Sequence, residues 1–262
     1  MEEVFADLHV HIGRSENGKP IKITAARSLN FANIAKECAD RKGINIVGII
    51  DCASPYVIED IENFLKTGEA YEIEDGGIIY KDKVCILLGS EVETSEVGRN
   101  GKCGAAHNVC FFPHLSDIKG FSKEMSKHIH NITLSTQRSD VSGYELIDVV
   151  EKYNGILIPA HCFTPFKSYY GNCVDRMKDI FKEKFDKIFY HTRLRIARGQ
   201  PVILPSSKAV RFVFTGWAPP LPASGGGPAP VPSPQRSSAC RRAHTPAWPP
   251  AAQERSWRTA YK

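Results

Sequence analysis

No run of about 18 or more apolar residues occurs in the 262-residue chain, which excludes a helix long enough to span a bilayer. Nor is there a CxxC pair. The eight cysteines stand at irregular spacings, the pattern of buried thiols in a reducing compartment and not of a disulfide framework. The N-terminus, Met1-Glu2-Glu3, has no basic segment ahead of an apolar one and leads directly into a strand pattern, so the expected location is cytoplasmic. Acids are nearly missing from the last quarter. From His191 to Lys262 there are 11 Lys and Arg against one acid, Glu254, whereas Met1 to Tyr190 carries 23 basic and 28 acidic residues. The overall net charge of +5 therefore averages a first part at −5 and a second at +10, and says nothing about nucleic-acid binding by the first.

The two parts also differ in pattern. The first alternates short apolar runs with helical periodicities. Strand-like runs lie at Val4–Val10, Ile44–Ile50, Val84–Leu88, Asn108–Phe112, Ile156–Pro159 and Lys187–Tyr190. Helical spacing marks Phe31–Arg41 with Gly43 as its C-cap, then Tyr56–Leu65 and Cys173–Lys184. Ser142 and Glu145 have capping-box spacing ahead of a helix to about Tyr153. This alternation predicts an α/β protein with a largely parallel sheet or barrel. The second part holds 10 of the 17 prolines between Trp217 and Pro250 and has few large apolar side chains, so residues 191–262 read as an unrelated, Pro/Ala-rich, largely disordered tail. Within it, Val202–Leu204 and Val210–Phe214 are apolar enough for strands.

Chemistry concentrates at the strand ends of the first part. In Asp7-Leu8-His9-Val10-His11, simple strand alternation puts residues 7, 9 and 11 on one side, an acid and two imidazoles together. Asp51 follows the run Ile46–Ile50, Glu91 follows Val84–Leu88, His107 opens Asn108–Phe112, and His161 follows Ile156–Pro159. In parallel α/β folds such strand ends carry the sites, and imidazole and carboxylate are zinc ligands. His114, His128 and His130 fall outside this pattern. Cys52 and Cys162 adjoin it as buried thiols.

These residues, in the order Asp7-Leu8-His9-Val10-His11, Gly48-Ile-Ile-Asp51, Gly89-Ser-Glu91, His107 before Val109-Cys-Phe-Phe-Pro113, and Pro159-Ala-His161, resemble the ordered motifs of the PHP (polymerase and histidinol phosphatase) superfamily. The resemblance covers about residues 4–190. His11-Ile-Gly-Arg14, Asp51-Cys-Ala-Ser-Pro55, Asn131-Ile-Thr-Leu-Ser135 and Pro159-Ala-His-Cys-Phe-Thr-Pro-Phe-Lys167 are similar to the endonuclease Q branch, which nicks DNA beside deaminated bases. What the resemblance implies is a distorted (β/α)7 barrel, here incomplete and confined to residues 1–190, with two divalent metals (Zn, Mn or Mg) and hydrolysis of phosphodiesters in DNA. His9, His11 and Glu91 would hold one metal, and Glu91 would bridge to a second on His107 and His161. Asp7 would join Glu91 in the catalytic set as the outer partner of a ligand histidine. Asp51 is a possible ligand for an additional metal, and Glu93 competes with Glu91 because alternation places the two together. Lys167 and Arg138 are the candidates for contacts to the DNA backbone.

The chain departs from the family in two places. Asp51-Cys52 stands where the family often has Asp-His. After Phe189 the strand-borne Ser-Asp and Asp-His segments are missing, since Asp186 is the last aspartate, and no cysteine pair for a zinc ribbon follows Cys173. An impaired DNA-repair nuclease is the first reading. A PHP phosphatase acting on a small phosphate ester is the alternative, and an inactive relic or binding protein the third. Neither a membrane nor a protein partner is indicated.

Overall fold

In a computed structural model of the chain, residues 4–98 and 101–188 are described, with the main chain of Val202–Ile203 and Ala209–Val210. The tail reading for 191–262 lies outside the described residues apart from those two dipeptides, which pair antiparallel with each other.

A seven-stranded mixed sheet forms the centre. Strand β1 (Ala6–Val10) runs parallel to β2 (Ile46–Ile49), which runs parallel to β5 (Val84–Val97). Two short strands, β3 (Ala70–Glu72) and β4 (Ile78–Tyr80), add antiparallel through β4 to β5. On β5 also lies β6 (Cys103–Phe112), antiparallel over ten residue pairs, and β7 (Ile156–Pro159) pairs antiparallel with β6. The expected largely parallel sheet is thus correct only for β1, β2 and β5. The reason is the length of β5. Beyond Leu88 the run Val92-Glu-Thr-Ser-Glu-Val97 is rich in β-branched residues, and it continues into a hairpin instead of ending.

Helix α1 (Phe31–Glu37) is capped by the Asn30 side chain and continues as a wider turn to Lys42, where Gly43 at φ +62 ends it. Helix α2 (Pro55–Lys66) begins with proline in its first turn and buries Val57, Ile61 and Phe64 along one stripe. Helix α3 (Leu115–Met125) has no counterpart in the sequence reading. Helix α4 (Gly143–Lys152) has the full reciprocal capping box between Ser142 and Glu145 and buries Leu146, Ile147 and Val150. The helix expected over Cys173–Lys184 is only a turn at Tyr169–Cys173 and the single-turn helix α5 (Lys178–Phe181) followed by a tighter turn. Lys187 lies in that turn and not in a strand, and Phe189–Tyr190 fall outside the described residues.

The sheet buries both faces. Ile34, Ile61, Ile118 and Leu146 from the helices meet Val47, Ile49, Ile86, Leu88 and Phe112 from the strands in the main core. On the opposite face Ile50, Val109, Phe111 and Ala160 form a second cluster with Leu8, Leu87 and Ile158. Two glycines make room for it. A Cβ on either Gly48 or Gly89 would stand 2.8 Å from the Phe111 ring, so that ring lies across β2 and β5 only because both positions lack side chains.

Candidate metal centre

The cluster is built on the second face of the sheet, and a register shift in β1 decides what joins it. Asp7 pairs with Val47, yet Val10 pairs with Ile49, so one extra residue is inserted in β1 between them. Neighbours in register share a face, and Val47 and Ile49 both point into the helix-covered core. Asp7 therefore faces the helices, where it interacts with Lys42 and Cys38. Past the bulge His9 and His11 face the other way. The expectation that residues 7, 9 and 11 share one side is corrected accordingly. The Asp7 carboxylate accepts the main-chain N–H of His9 at 3.2 Å and is not the partner of an imidazole ring among the described contacts.

Around Glu91, itself buried within β5, four imidazoles converge. On Oε1, His107 Nδ1 stands at 3.2 Å, His9 Nε2 at 3.4 Å and His161 Nε2 at 3.8 Å. On Oε2, His11 Nε2 stands at 3.5 Å, and the Thr136 hydroxyl donates at 2.6 Å. Two groups, His9–His11–Glu91 and Glu91–His107–His161, each bring one ligand atom per residue within 4.8 Å of the others. The sequence reading places Glu91 just beyond a strand and His107 at the start of one. Both instead lie inside the β5–β6 hairpin, where Glu91 pairs with Val109 and Glu93 with His107.

The outer nitrogens of three rings are anchored. His11 Nδ1 lies 3.1 Å from Asp51 Oδ2, which also accepts the Ile12 N–H at 2.7 Å. His107 Nε2 lies 3.3 Å from Glu93 Oε2. His161 Nδ1 lies 3.2 Å from the Thr164 hydroxyl, whose own proton is directed to the main-chain oxygen of His161 or Phe166. A carboxylate accepts and cannot donate, so a neutral ring whose inner nitrogen binds a cation keeps its proton on the outer nitrogen, toward that carboxylate. The inner nitrogens of His161 and His107 approach each other at 3.3 Å. Glu91 Oε1, fully buried, has no hydrogen-bond partner despite three imidazoles around it. Such an arrangement of donor atoms is unfavourable when empty and suits a cation placed among them.

The electrostatics agree. Burial alone would raise the Glu91 carboxyl, but His107, His161 and His9 outweigh it and hold it well below the carboxylate range. Glu93 is likewise brought down to about 2, because His107, Lys167 and Arg138 overcome its burial. Desolvation moves His9 toward the neutral ring against the pull of Glu91, an effect tempered by the 40% exposure of its side chain. Asp51 is outside both groups and serves His11, so the position considered for an additional metal is occupied by an orienting contact. Lys167 and Arg138, proposed for DNA, have their heads on Glu93 and remain about half or more exposed, at 52% and 63%.

Sequence reasoning missed Thr136, which holds Glu91, and Lys22, whose ammonium is desolvated and drawn to Glu91 and Asp51. The only signal for them was the stretch ending in Ser135, whose hydroxyl lies 3.2 Å from His11 Nδ1. Thr136, His161 and Lys167 all hold left-handed backbone, at φ +49, +31 and +50. Non-glycine residues adopt it rarely, and its concentration at one cluster marks a shaped site.

No protein-family model matches the chain. It is 42% identical over 186 residues to the uncharacterized protein YqxK of Bacillus subtilis, covering 71% of this chain and 46% of that protein. It is 27% identical over 160 residues to an uncharacterized protein of Methanocaldococcus jannaschii, covering 61% of this chain and 16% of that one. The chain thus spans less than half the length of these curated relatives. Among solved structures it is similar to endonuclease Q in complex with a 27-mer duplex bearing an abasic lesion at the active site, with a TM-score of 0.53, 24% identity, and coverage of 68% of this chain and 40% of that one. The lesion-specific endonuclease Q of Pyrococcus furiosus matches with the same TM-score and identity, over 68% of this chain and 39% of that one. The likeness is one of fold, the mixed α/β arrangement shared with endonuclease Q. Among the described residues no helix is long and apolar enough to cross a membrane.

Proposed function

We propose that this chain is a metal-dependent phosphodiesterase domain that nicks DNA beside deaminated bases. The observation that carries the reading is the convergence of four imidazoles on the buried carboxylate of Glu91, three of them around its unpartnered Oε1, in a fold shared with endonuclease Q. His9, His11 and Glu91 would hold one divalent cation, and Glu91, His107 and His161 a second; the imidazole-rich set favours zinc over manganese or magnesium. Bound there, the cations supply an activated water and offset the charge of the phosphate. The protein's own residues do the rest. Thr136 fixes the shared carboxylate, Asp51 sets the tautomer of His11, and Lys167 and Arg138 lie at the rim for the DNA backbone. Asp7 has no part in this scheme, because the bulge turns it to the other face.

Residues 1–190 constitute the domain in this reading, and 191–262 a separate segment. Turnover is expected to be slow, since the Ser-Asp and Asp-His segments of the family do not follow Phe189. The −5 balance of residues 1–190 favours the second reading, hydrolysis of a small phosphate ester. Metal-loaded protein should be assayed on duplexes containing uracil or hypoxanthine, on undamaged duplex and on p-nitrophenyl phosphate. Lesion-dependent nicking that is abolished by Glu91→Ala supports the proposal. Ester hydrolysis without DNA binding would transfer the assignment to the phosphatase, and neither activity with metal bound would leave a binding protein or relic.

A further inference from the structure

We infer that Glu93 is a positioning residue for the second cation site, not a ligand, and that it acts by holding His107 with its Nδ1 lone pair turned inward. The inference rests on the metal reading above. Glu93 and His107 are direct cross-strand partners in the β5–β6 hairpin, the relation that brings Cβ atoms within about 4.5–5.5 Å of each other. Glu91 is two residues back on the same face, so the hairpin register alone sets the His107 ring between two carboxylates. Nδ1 lies 3.2 Å from Glu91 and Nε2 3.3 Å from Glu93.

The Glu93 oxygens are already engaged. Oε1 accepts from Arg138 Nε at 2.7 Å with Arg138 Nη2 equally close, and Oε2 takes the Lys167 ammonium as well as His107. Glu91 differs in that its Oε1 is orphaned. The two carboxylates therefore divide the work, Glu91 facing the cation and Glu93 facing the ring that binds it. The main chain holds Glu93 as well: its N–H donates to the Gln137 carbonyl at 3.1 Å, and its carbonyl accepts from Ser139 at 2.9 Å. The His107 N–H donates to the Lys167 carbonyl at 3.0 Å, so the loops bearing Arg138 and Lys167 are tied to the same pair of strand residues.

Two measurements test this. The first needs no variant: ring 15N shifts of zinc-loaded wild-type protein should show His107 with its proton on Nε2 and its Nδ1 on the metal. An Nδ1–H tautomer would overturn the inference. The second is zinc titration by calorimetry, with circular dichroism to establish that each variant is folded. Wild type should bind two ions. Glu93→Gln should leave one unchanged and weaken the other by about 10–100-fold, the range for loss of a partner that orients a ligand. Arg138→Met, which leaves the carboxylate on His107, should change both by less than about threefold. Wild-type affinity for both ions in Glu93→Gln, or equal weakening in Arg138→Met, would show that the contact to the ring is not what matters. If wild type binds no zinc, the metal reading itself fails, whereas two bound ions with His107 protonated on Nδ1 would overturn the role of Glu93 alone.

Discussion

The two halves of the cluster reach the same chemical arrangement from different backbones. In one, His11 follows a parallel strand, and Asp51, two residues past the end of the next parallel strand, comes up beside it. In the other, His107 and Glu93 sit opposite one another on antiparallel strands. Both place a carboxylate on the outer nitrogen of a ring whose inner nitrogen faces Glu91. The requirement is thus a locked ring orientation, and strand polarity is only one way to obtain it.

The comparison breaks most completely at the residue the halves share. Glu91→Ala should remove both cations, with each affinity falling by more than the roughly 100-fold upper range for an orienting partner, as read by metal content after dialysis. Next come variants that separate the halves. His9→Ala and His161→Ala should each leave a single tight ion, and the double variant none; retention of two ions in His161→Ala would show that the second group is not a site.

The pattern of what was legible follows from this geometry. Strands β1, β2 and β7 and the capping box of α4 could be read because they depend on local sequence. His9, His11, Glu91, His107 and His161 were found because residue type and order suffice. The bulge was not, because nothing in Asp7-Leu8-His9-Val10 marks an inserted residue, and only pairing with β2 reveals it. The extension of β5 past Leu88 was missed because Glu91, Glu93 and Glu96 interrupt the apolar run, although all three are buried. Partners such as Thr136 come from a loop 45 residues away, a distance that no period can bridge.

A smaller effect sharpens the comparison at the outer shell. Asp51→Asn should weaken only the ion on His9 and His11, by about 10–100-fold, mirroring Glu93→Gln. Asp51→Ala should also destabilise the fold by about 1–3 kcal/mol, because the buried Ile12 N–H loses its acceptor; thermal unfolding without metal measures this.

The smallest expected effect concerns a buried carboxylate with no ring or cation as partner. Asp60, on α2, accepts the Glu16 N–H at 2.9 Å, and burial raises its pKa to about 6. Between its ordinary value near 3.8 and about 6 the folded state binds more protons than the unfolded one, so stability should fall as pH rises through that window. Relative to Asp60→Asn, wild type should lose stability between pH 4.5 and 7, and the difference between the two proteins' denaturant midpoints isolates this group from His9, whose depressed pKa gives the opposite slope in both. An opposite slope that disappears in the variant would show that the group is stabilised as the anion.

The extra residue in β1 has a consequence for engineering. It acts as a phase shifter: upstream and downstream of it, odd-numbered positions address opposite compartments of the protein. Deleting Leu8 would remove the extra residue and keep both registers, Asp7 with Val47 and Val10 with Ile49, so every remaining side chain would hold its compartment on an unbroken ladder. Deleting His9 would keep both registers too but leave Leu8 in the place of the imidazole. Loss of one codon at this point therefore spares the ligand set or breaks it according to which of two neighbours goes.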